Sequence, residues 1–438
     1  MEPVLEPILG KISGFADYTE EQNFLISLWQ EKIADTFKLH GFTKLNAIPV
    51  EYIDNLQLKG GIAKQIYRIA RLQDGALTDL GLPFDRTVPL ALYMVRHLSE
   101  ISLPFKRYDV AYSFRGEHAQ AGRFRGFIQA DVDIVDKDHN LLDDTMCLLT
   151  IIKALENLKI PAFVMLLNHL KISHAVLHYF KISKDKYDEF LKYIDKMSKL
   201  SDEEIFLEGK KILNEKTDDE LLFIIKTLKF RGKIHDFPLL DKLDANGKKG
   251  MEELITVIEQ LKICGVDEKI LLFAPAMVRG LDYYTGMMFE TILLEYEKYG
   301  SIAGGGRYDG LIATFLQKEK NLGGVGGSIG ISRLFDILLR EKLLPKTELT
   351  STQVMIIPRE ANLIALALDV AEKLRDFGYN TDLYIKKNIT KGLEFCNRKK
   401  IPFVLMLMEQ NKFVIKDMHT TKQMETGSLE DVQAFMKK

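Results

Sequence analysis

Residues 106–135 read KRYDVAYSFRGEHAQAGRFRGFIQADVDIV, and the fold prediction starts from this stretch. In its second half, Gln129, Asp131 and Asp133 alternate with apolar residues, so they would point to one face of a β-strand. A glycine-containing loop separates this strand from an earlier run of strand-forming residues. We therefore predict two strands joined by a loop, with polar side chains on one face of the second strand.

The polar face of that strand indicates a binding site. Three polar groups are costly to bury, so we expect the face to line water or a polar ligand. Arg115 ends the first strand and Arg123 lies in the basic loop. A fixed guanidinium beside such a loop suits a phosphate ester. An ion-paired hairpin at the surface is the alternative that these residues leave open.

Two glycine-dense segments follow later in the chain, GSIAGGGRYDG (300–310) and NLGGVGGSIGISRL (321–334). Glycines allow a strand and a helix to approach closely, or a flat ring to lie on the backbone. We expect Arg333 in the first turn of an apolar helix. Taken alone, Gly304–Gly310 predicts a hairpin turn, and Asp85 and Thr87 predict caps of the helix that follows them.

The segment APAMVRGLDYYTGMMFE (274–290) is apolar at both ends but polar in its middle. It places Arg279, Asp282 and two tyrosines where a purely structural segment would keep apolar residues. The segment therefore raises the question of what these polar side chains serve.

The overall composition is that of an ordinary globular protein. Of the 438 residues, 46% are hydrophobic and 28% are charged, and the formal net charge is −2. This balance argues against a protein that coats nucleic acid with its whole surface, but it allows a local basic face. The length suggests about two to four domains.

Cysteine usage and the N-terminal stretch indicate the cell compartment. Cys147, Cys264 and Cys396 lie far apart and form no CxxC pair, which favours buried thiols in a reducing environment. The stretch MEPVLEPILGKISGF is acidic and interrupted by proline and glycine, unlike a signal peptide. No apolar run approaches the ~20 residues that span a bilayer. We therefore expect a cytoplasmic protein.

Changes in periodicity divide the chain into segments. A capping pattern at Thr19 opens a long amphipathic helix that Gly41 ends, and short strand-like runs follow. A charged region with helical spacing comes next, and the last part alternates strands with helices. We predict a core formed by residues 1–168 and 267–340, a helical insertion at 169–266, a linker at 341–351 and a small α/β domain at 352–438.

In order and spacing, these segments resemble the class II aminoacyl-tRNA synthetases and, more narrowly, the histidyl-tRNA synthetase family. Pro49 resembles the proline of the first class motif, FRGEHAQAGRFRGFIQADVDI the second motif and GGSIGISRL the third. VRGLDYYTG and AGGGRYDG resemble the two signatures specific to the histidine family. The resemblance covers nearly the whole chain, and residues 352–438 resemble the anticodon-binding domain.

The resemblance implies an α+β fold with a six-stranded antiparallel sheet, flanking helices and dimerisation through the first motif. It implies that L-histidine and ATP give histidyl-adenylate and pyrophosphate, and that the histidyl group then passes to the 3′ end of tRNA(His). The implied cofactor is ATP with Mg²⁺, with no zinc and no metal fixed by the protein alone. The implied partners are tRNA(His) and a second copy of the chain, without a membrane.

The resemblance also assigns residues to sites. The implied ATP site consists of Arg115, Glu117, Arg123, Arg279 and Arg333. The implied histidine site consists of Asp85, Thr87, Gln129, Asp133, Arg279, Tyr283, Tyr284 and Tyr308. The implied tRNA contacts are His118, Gln120, Lys386, Lys387, Lys391 and Arg398.

Within these sites the resemblance gives each group a role. Arg115 and Arg279 would be the catalytic residues, acting on the α-phosphate from opposite sides. Arg333 would stack on adenine and Arg123 would reach the outer phosphates. Asp85, Thr87 and Gln129 would hold the α-amino group of histidine. Asp133 and Tyr284 would hold the two imidazole nitrogens, and Tyr308 would close the pocket.

A different function remains open on the same fold. Synthetase-like regulatory subunits of ATP phosphoribosyltransferase, in histidine biosynthesis, resemble the catalytic core but lack the anticodon-binding domain. This chain resembles the family in both parts, which favours the synthetase. It departs from the family pattern at Pro83, where an arginine is usual, at Ser332, where an acidic residue is usual, and in Ser13–Asp17, where the family has KG-x-RD.

Overall fold

The computed structural model describes residues 9–57, 63–73, 75–117, 122–137, 140–197, 200–278, 284–316, 322–345, 350–386 and 388–437. The chain divides into two compact units. The first comprises Met1–Asp17 and Trp29–Leu343, and the second comprises Tyr18–Leu28 and Leu344–Lys438. Each unit has its own sheet and its own hydrophobic core.

The strands of the first unit form one large sheet and one small sheet. They are β1 (Thr43–Lys44), β2 (Glu51–Tyr52), β3 (Arg68–Ala70), β4 (Leu77–Gly81), β5 (Phe105–Phe114), β6 (Gly126–Asp136), β7 (Phe163–His169), β8 (Leu271–Phe273), β9 (Met287–Leu293), β10 (Ala303–Arg307) and β11 (Gly323–Gly330). The large sheet has the order β1-β5-β6-β11-β10-β9-β7-β8, and β2-β4-β3 form the small one.

The inner part of the large sheet is the predicted six-stranded antiparallel sheet. From β5 to β7, every neighbouring pair is antiparallel. The edge strands β1 and β8 add to it in parallel. The fold prediction is therefore confirmed, within a mixed sheet of eight strands.

Helices flank this sheet and fill the space between β7 and β8. They are α1 (Glu20–Leu39), α2 (Ile53–Gln57), α3 (Thr87–His97), α4 (Leu141–Asn157), α5 (Leu170–Tyr179), α6 (Tyr187–Lys196), α7 (Asp202–Ile212), α8 (Asp218–Leu228), α9 (Ala245–Ile263), α10 (Asp309–Leu316) and α11 (Ile331–Arg340).

The long first helix, α1, forms as its sequence predicts. Thr19 and Gln22 exchange backbone-to-side-chain hydrogen bonds of 3.0 and 3.3 Å at its start. Trp29, at helical spacing from the other apolar residues of α1, is buried against the Phe335 ring of α11, with 5.7 Å between ring centroids. Gly41, at a φ of 82°, follows the end of the helix in the left-handed conformation that glycine tolerates.

The described residues between β7 and β8 form α5–α9 and short 3₁₀ turns, without a strand. Ser201 and Thr217 begin α7 and α8 with capping boxes completed by Glu204 and Glu220. These caps explain why so charged a region is helical. The helical character of the insertion agrees with its sequence pattern.

The prediction of a hairpin turn at Gly304–Gly310 is wrong. Gly304, Gly305 and Gly306 lie in β10, which pairs with β9 on one side and β11 on the other. A Cβ added at Gly305 would lie 2.0 Å from the carbonyl oxygen of Gly326. The glycines therefore serve close backbone approach in the middle of a sheet, which a local sequence window cannot distinguish from a turn.

The second unit is a small α/β domain with a five-stranded sheet. Its strands are β12 (Val354–Pro358), β13 (Thr381–Leu383), β14 (Phe403–Glu409), β15 (Lys412–Asp417) and β16 (Gln423–Thr426), in the order β13-β12-β14-β15-β16. Its helices are α12 (Ile364–Asp376), α13 (Ile389–Lys399) and α14 (Leu429–Met436). β13, β12 and β14 are parallel, and the rest of the sheet is antiparallel.

Both faces of this second sheet are buried. Val354 and Ile356 of β12 belong to one apolar cluster, and the alternate residues Met355 and Ile357 belong to another on the opposite face. This explains the continuous apolar run of β12. β16 and α14 have only a weak sequence signal, because QMET has no apolar run and α14 is short.

Candidate functional site

A cavity of about 1670 Å³ opens in the first unit, over β6, β9, β10 and β11. Many of the predicted site residues line it. They are Arg115, Glu117, Arg123, Gln129, Tyr284 and Arg333. These six come from three distant parts of the chain, so only the fold brings them together.

Arg115 is held in place from two directions. Its Nε donates a hydrogen bond of 3.0 Å to the carbonyl oxygen of Phe84, and its guanidinium carbon lies 5.2 Å from the centroid of the Phe127 ring. Glu117 is 4.0 Å from Nη1, and it also accepts from Arg123 Nη1 at 3.4 Å. These contacts orient Arg115 and leave its charge only weakly neutralised, which suits the binding of an anion.

Arg333 lies in the first turn of α11, as predicted, and also lines the cavity. One of its terminal nitrogens donates to the carbonyl oxygen of Tyr299. One turn further along α11, Asp336 accepts 2.8 Å from the backbone N–H of Gly122 and 2.7 Å from Arg340 Nε. Gly122, at a φ of 70°, directly precedes Arg123. Helix α11 therefore also holds one end of the loop that carries Arg123.

Gln129 and Ser328 meet on the floor of the cavity, across the β6–β11 pair. Gln129 Nε2 donates to Ser328 Oγ at 2.8 Å, and Ser328 Oγ donates to Asp131 Oδ1 at 2.6 Å. Gln129 Oε1 is buried and makes no hydrogen bond with a described residue. This oxygen can therefore accept a hydrogen bond from a ligand.

Asp133 is buried rather than exposed to the cavity. Arg107 Nη2 lies 2.7 Å from Asp133 Oδ2, and the Tyr308 hydroxyl donates to Oδ1 at 2.5 Å. A Cβ on Gly326 would lie 2.0 Å from the same Oδ1, so only glycine fits beside it. Burial, and next the Asp133 carboxylate, raise the pKa of Tyr308 well above its usual value.

Along the polar face of β6, Gln129 lines the cavity, whereas the burial of Asp131 and Asp133 contradicts the expectation that this face stays uncovered. Contact of Asp133 with a ligand stays a prediction. Arg107, a fully buried arginine on β5, compensates these carboxylates. Burial opposes the Arg107 charge, but Asp133, Asp131 and Asp109 together raise its pKa.

Asp85 caps the helix that follows it. Its Oδ1 accepts a hydrogen bond of 3.1 Å from the backbone N–H of Val88, so the capping interpretation is confirmed for Asp85. Neighbouring Arg86 is buried in an ion pair of 2.6 Å with Asp109. Asp85, Thr87, Asp133 and Tyr308 are not among the residues that line the cavity. Their predicted contacts with histidine stay predictions.

The segment 274–290 borders the cavity from both of its described ends. Met277 and Val278 on one side and Tyr284 on the other line it. Arg279 and Tyr283 lie outside the described residues, as do His118, Gln120 and Lys387. The predicted approach of Arg115 and Arg279 to one phosphate therefore stays a prediction.

Several cavity residues were not found from the sequence. Glu290 of β9 lines the cavity, and a lone acidic residue in the apolar run MMFETIL was a signal for it. Lys229 and Arg231 of the helical insertion also line it, and Arg231 forms an ion pair of 2.7 Å with Glu297. No pattern in the surrounding helical region distinguishes these two from its many surface charges.

At two of the three departures from the family pattern, the structure shows which backbone groups the residues contact. Ser332 is buried, and its Oγ accepts 2.9 Å from the backbone N–H of Ile128. The carbonyl oxygen of Gly14 accepts 2.7 Å from the backbone N–H of Arg125. Position 332 and the Ser13–Asp17 segment thus both support the start of β6, where the preceding loop enters it.

In the second unit, Lys386, Lys391 and Arg398 are exposed. Lys391 and Arg398 lie in α13, and Lys386 lies shortly before it. Such a group of exposed basic side chains can contact phosphates.

The described part of the chain offers no candidate metal cluster and no candidate membrane-spanning helix. No group of three or more His, Cys, Asp or Glu side chains there could hold a metal ion. Among the described helices, none is both long enough and apolar enough to cross a membrane.

Known proteins are similar to this chain in sequence and in fold. Residues 14–334 match the family model described as histidyl-tRNA synthetase, and residues 353–438 match that of an anticodon binding domain. The histidine–tRNA ligase of Clostridium tetani is 32% identical over 439 residues, covering 97% of each chain. That of Helicobacter hepaticus is 33% identical over 435 residues, covering 97% of this chain and 96% of the relative.

Solved structures give the same result. The crystal structure of histidyl-tRNA synthetase from Nostoc sp. PCC 7120 matches with a TM-score of 0.87 and 30% identity, covering 99% of each chain. A structure described as an ATP phosphoribosyltransferase regulatory subunit/histidyl-tRNA synthetase from Bacillus halodurans matches with a TM-score of 0.73 and 18% identity. It covers 92% of this chain and 99% of its own, and at this identity it shows a likeness of fold alone.

Proposed function

The chain belongs to the histidyl-tRNA synthetase family, and we propose from this that it activates L-histidine with ATP and transfers the histidyl group to the 3′ end of tRNA(His). One observation supports this more than any other. Arg115, Arg123 and Arg333 line the same cavity as Gln129 and Tyr284. A single cavity thus offers positive charge for a nucleotide and polar groups for an amino acid.

In the first step, a carboxylate oxygen of histidine attacks the α-phosphorus of ATP. The new O–P bond forms as the bond to pyrophosphate breaks, and negative charge develops on the phosphoryl oxygens. Arg115 stabilises that charge, because its contacts with Phe84 and Phe127 already fix its guanidinium. We assign Arg279 to the opposite side of the same phosphate by resemblance.

The remaining nucleotide contacts follow from the same cavity. Arg123 reaches the outer phosphates with Glu117 beside it, and Arg333 stacks on adenine. Mg²⁺ enters with the triphosphate as part of the substrate. In the second step, the terminal hydroxyl of the tRNA attacks the histidyl carbonyl carbon, and AMP leaves.

Histidine would be recognised at both of its ends. Gln129 Oε1 has acceptor capacity for the α-ammonium group, together with Asp85 and Thr87. Asp133 lies against Arg107 and Tyr308, and by resemblance its carboxylate would accept an imidazole N–H. Tyr284 lines the cavity and would bind the other ring nitrogen, with Tyr283 and Tyr308 nearby by resemblance.

Contact with tRNA would involve both units. His118 and Gln120, in the loop before Arg123, would approach the acceptor end. Lys386, Lys387, Lys391 and Arg398 would meet the anticodon stem and loop. We further propose a homodimer that works in the cytoplasm, where aminoacyl-tRNA is used.

The regulatory-subunit alternative has less support. The structure that carries this description in part shares only the fold with this chain. Residues 353–438 match an anticodon binding domain, which a protein that charges tRNA needs. Histidine-dependent exchange of pyrophosphate into ATP separates the two functions, since only the ligase catalyses it. Folded protein that binds histidine but shows no exchange would contradict the ligase.

Substitution of Arg115 tests the proposed chemistry. We expect Arg115→Gln to lower the kcat of ATP–pyrophosphate exchange by about a hundredfold or more, with little change in the KM for histidine, because the charge acts mainly in the transition state. Arg359→Gln, an exposed position in the second unit, is the matched control and should keep full exchange activity. Equal losses in kcat and histidine affinity would mean that Arg115 only binds the ground state.

A further inference from the structure

A chain of three side chains leads from the interior of the sheet to the cavity. Asp131 is buried, Ser328 is half-buried, and Gln129 presents its amide to the cavity. Asp131 and Ser328 face each other across β6 and β11, and Gln129 is on the same face as Asp131, two residues earlier. Their hydrogen bonds are 2.6 Å between Ser328 Oγ and Asp131 Oδ1, and 2.8 Å between Gln129 Nε2 and Ser328 Oγ.

The chemistry of these groups fixes the direction of both hydrogen bonds. Above the Asp131 pKa of about 7 the carboxylate is ionised and only accepts, so Ser328 must give its single hydroxyl proton to Asp131. The Ser328 oxygen can then only accept from Gln129, which must turn its NH₂ group inward. The Gln129 carbonyl oxygen is left outside this chain of hydrogen bonds, and it is a buried atom with no partner among the described residues.

We propose that Asp131 and Ser328 are positioning residues that set the Gln129 amide so that its oxygen, not its NH₂ group, meets the α-ammonium group of the amino-acid substrate. The inference rests on the proposed histidine site and adds a determinant of its specificity. An ammonium group has three donors and no acceptor, so it needs an oxygen opposite it. In the reversed orientation the Gln129 NH₂ group would face the ammonium group, and both are hydrogen-bond donors.

The selectivity for an ammonium group thus depends on the direction of the Ser328–Asp131 hydrogen bond, because that direction sets the orientation of the Gln129 amide. Without the Ser328 hydroxyl, the two orientations of the Gln129 amide become similar in energy, and only one of them binds an ammonium. A ligand that lacks the amino group is indifferent to that orientation. The proposal therefore predicts coupling between residue 328 and the amino group of the ligand.

The test compares L-histidine with 3-(imidazol-4-yl)propionate, which lacks only the α-amino group, by calorimetric titration at pH 8, where Asp131 is ionised. We expect Ser328→Ala to weaken histidine binding about tenfold, the scale of one hydrogen bond to a charged group, and to leave binding of the analogue unchanged. Ser113→Ala is the matched control, since Ser113 is fully buried on β5 and its hydroxyl has no partner among described residues. It should leave both affinities unchanged.

The results that would contradict this inference differ from those that would contradict the proposed histidine site. If Ser328→Ala weakens both ligands equally, or neither, the hydroxyl does not orient the amide and the proposal is wrong. If the wild-type protein itself binds the two ligands equally well, the proposed histidine site is wrong, and this inference is wrong with it. A wild type that prefers histidine, with a Ser328→Ala variant that keeps that preference, overturns this inference alone.

A second variant tests the inner end of the chain. Asp131→Asn keeps the size of the side chain and removes its charge, so Ser328 is no longer forced to donate inward. The variant should fold, because Arg86 and Arg107 then still face Asp109 and Asp133. We expect a smaller preference for histidine over the analogue than in the wild type. An undiminished preference would remove Asp131 from the proposal.

Discussion

At the scale of single residues, a group of buried charged side chains adjoins the cavity, where Ser328 donates a hydrogen bond to Asp131. Arg86, Arg107, Asp109, Asp131 and Asp133 are all buried, with ion pairs of 2.6 Å between Arg86 and Asp109 and 2.7 Å between Arg107 and Asp133. Two arginines face three aspartates. Burial therefore dominates at Asp131 and raises its pKa to about 7, although Arg107 acts in the opposite direction.

This pKa predicts a pH-dependent effect on stability. An unfolded aspartate titrates near pKa ~3.9, so between about pH 4 and 7 the folded state binds more protons and the free energy of unfolding decreases as pH rises. Asp131→Asn stays neutral throughout. We expect its melting temperature to exceed that of the wild type by more at pH 8 than at pH 5, in thermal unfolding followed by circular dichroism.

The control for this prediction is Asp241→Asn, at an exposed position in the helical insertion. Its melting temperature should differ from the wild type by the same small amount at both pH values. A larger stabilisation of Asp131→Asn at pH 5 than at pH 8 would show that Asp131 is ionised and well compensated over this range.

At the scale of elements, strand β10 depends on glycine. Gly305→Ala should strongly destabilise the first unit, because the added Cβ would meet the carbonyl oxygen of Gly326 at 2.0 Å and neither backbone can move within the paired sheet. Gly310→Ala, in α10, has open space around the added Cβ and should be neutral or stabilising by about 0.5–1 kcal/mol. Urea unfolding of the two variants measures the difference, and similar unfolding midpoints would contradict it.

Helix α11 connects the loop before β6 to the floor of the site. Asp336→Ala removes the acceptor of the Gly122 N–H, and we expect the KM for ATP to rise several-fold with a smaller change in kcat, since Arg123 follows Gly122 directly. Asp336→Asn keeps an oxygen for that N–H while losing the charge opposite Arg340, so it should stay close to the wild type. Steady-state ATP–pyrophosphate exchange distinguishes the two. Equal defects would point to the Arg340 pair instead.

At the scale of the whole molecule, we propose that the first unit carries the chemistry and that the second unit contributes to tRNA binding. Each has its own hydrophobic core, and the site residues that line the cavity belong to the first. The exposed cations Lys391 and Arg398 belong to the second. Changes confined to the second unit should therefore affect tRNA without affecting histidine activation.

Charge removal tests this division. Lys391→Gln combined with Arg398→Gln should weaken tRNA(His) binding and reduce its dependence on salt, because fewer counterions are released from the phosphates. ATP–pyrophosphate exchange should be unchanged. Lys373→Gln with Lys412→Gln is the matched control, since these lysines already pair with Asp369 and Glu425. Filter binding at low and high salt measures the effect, and an unchanged salt dependence would place the tRNA surface elsewhere.

Features that repeat locally or match a family motif could be predicted from the sequence alone. Alternation along β6, the capped start of α1 and the strand–helix rhythm of the last domain each depend on neighbouring residues, so they were readable without the fold. Family signatures also pointed to Arg115, Gln129 and Arg333.

Which polar groups reach the cavity, and which are buried, depends instead on how the strands pack in the fold. Gln129 and Asp133 alternate identically along β6, yet Gln129 lines the cavity and Asp133 is covered, because Arg107 of β5 and Tyr308 lie against it. The same holds for Gly304–Gly306, which form a central strand because β9 and β11 approach from both sides. Such outcomes depend on partners far away in the sequence, and no local pattern contains them.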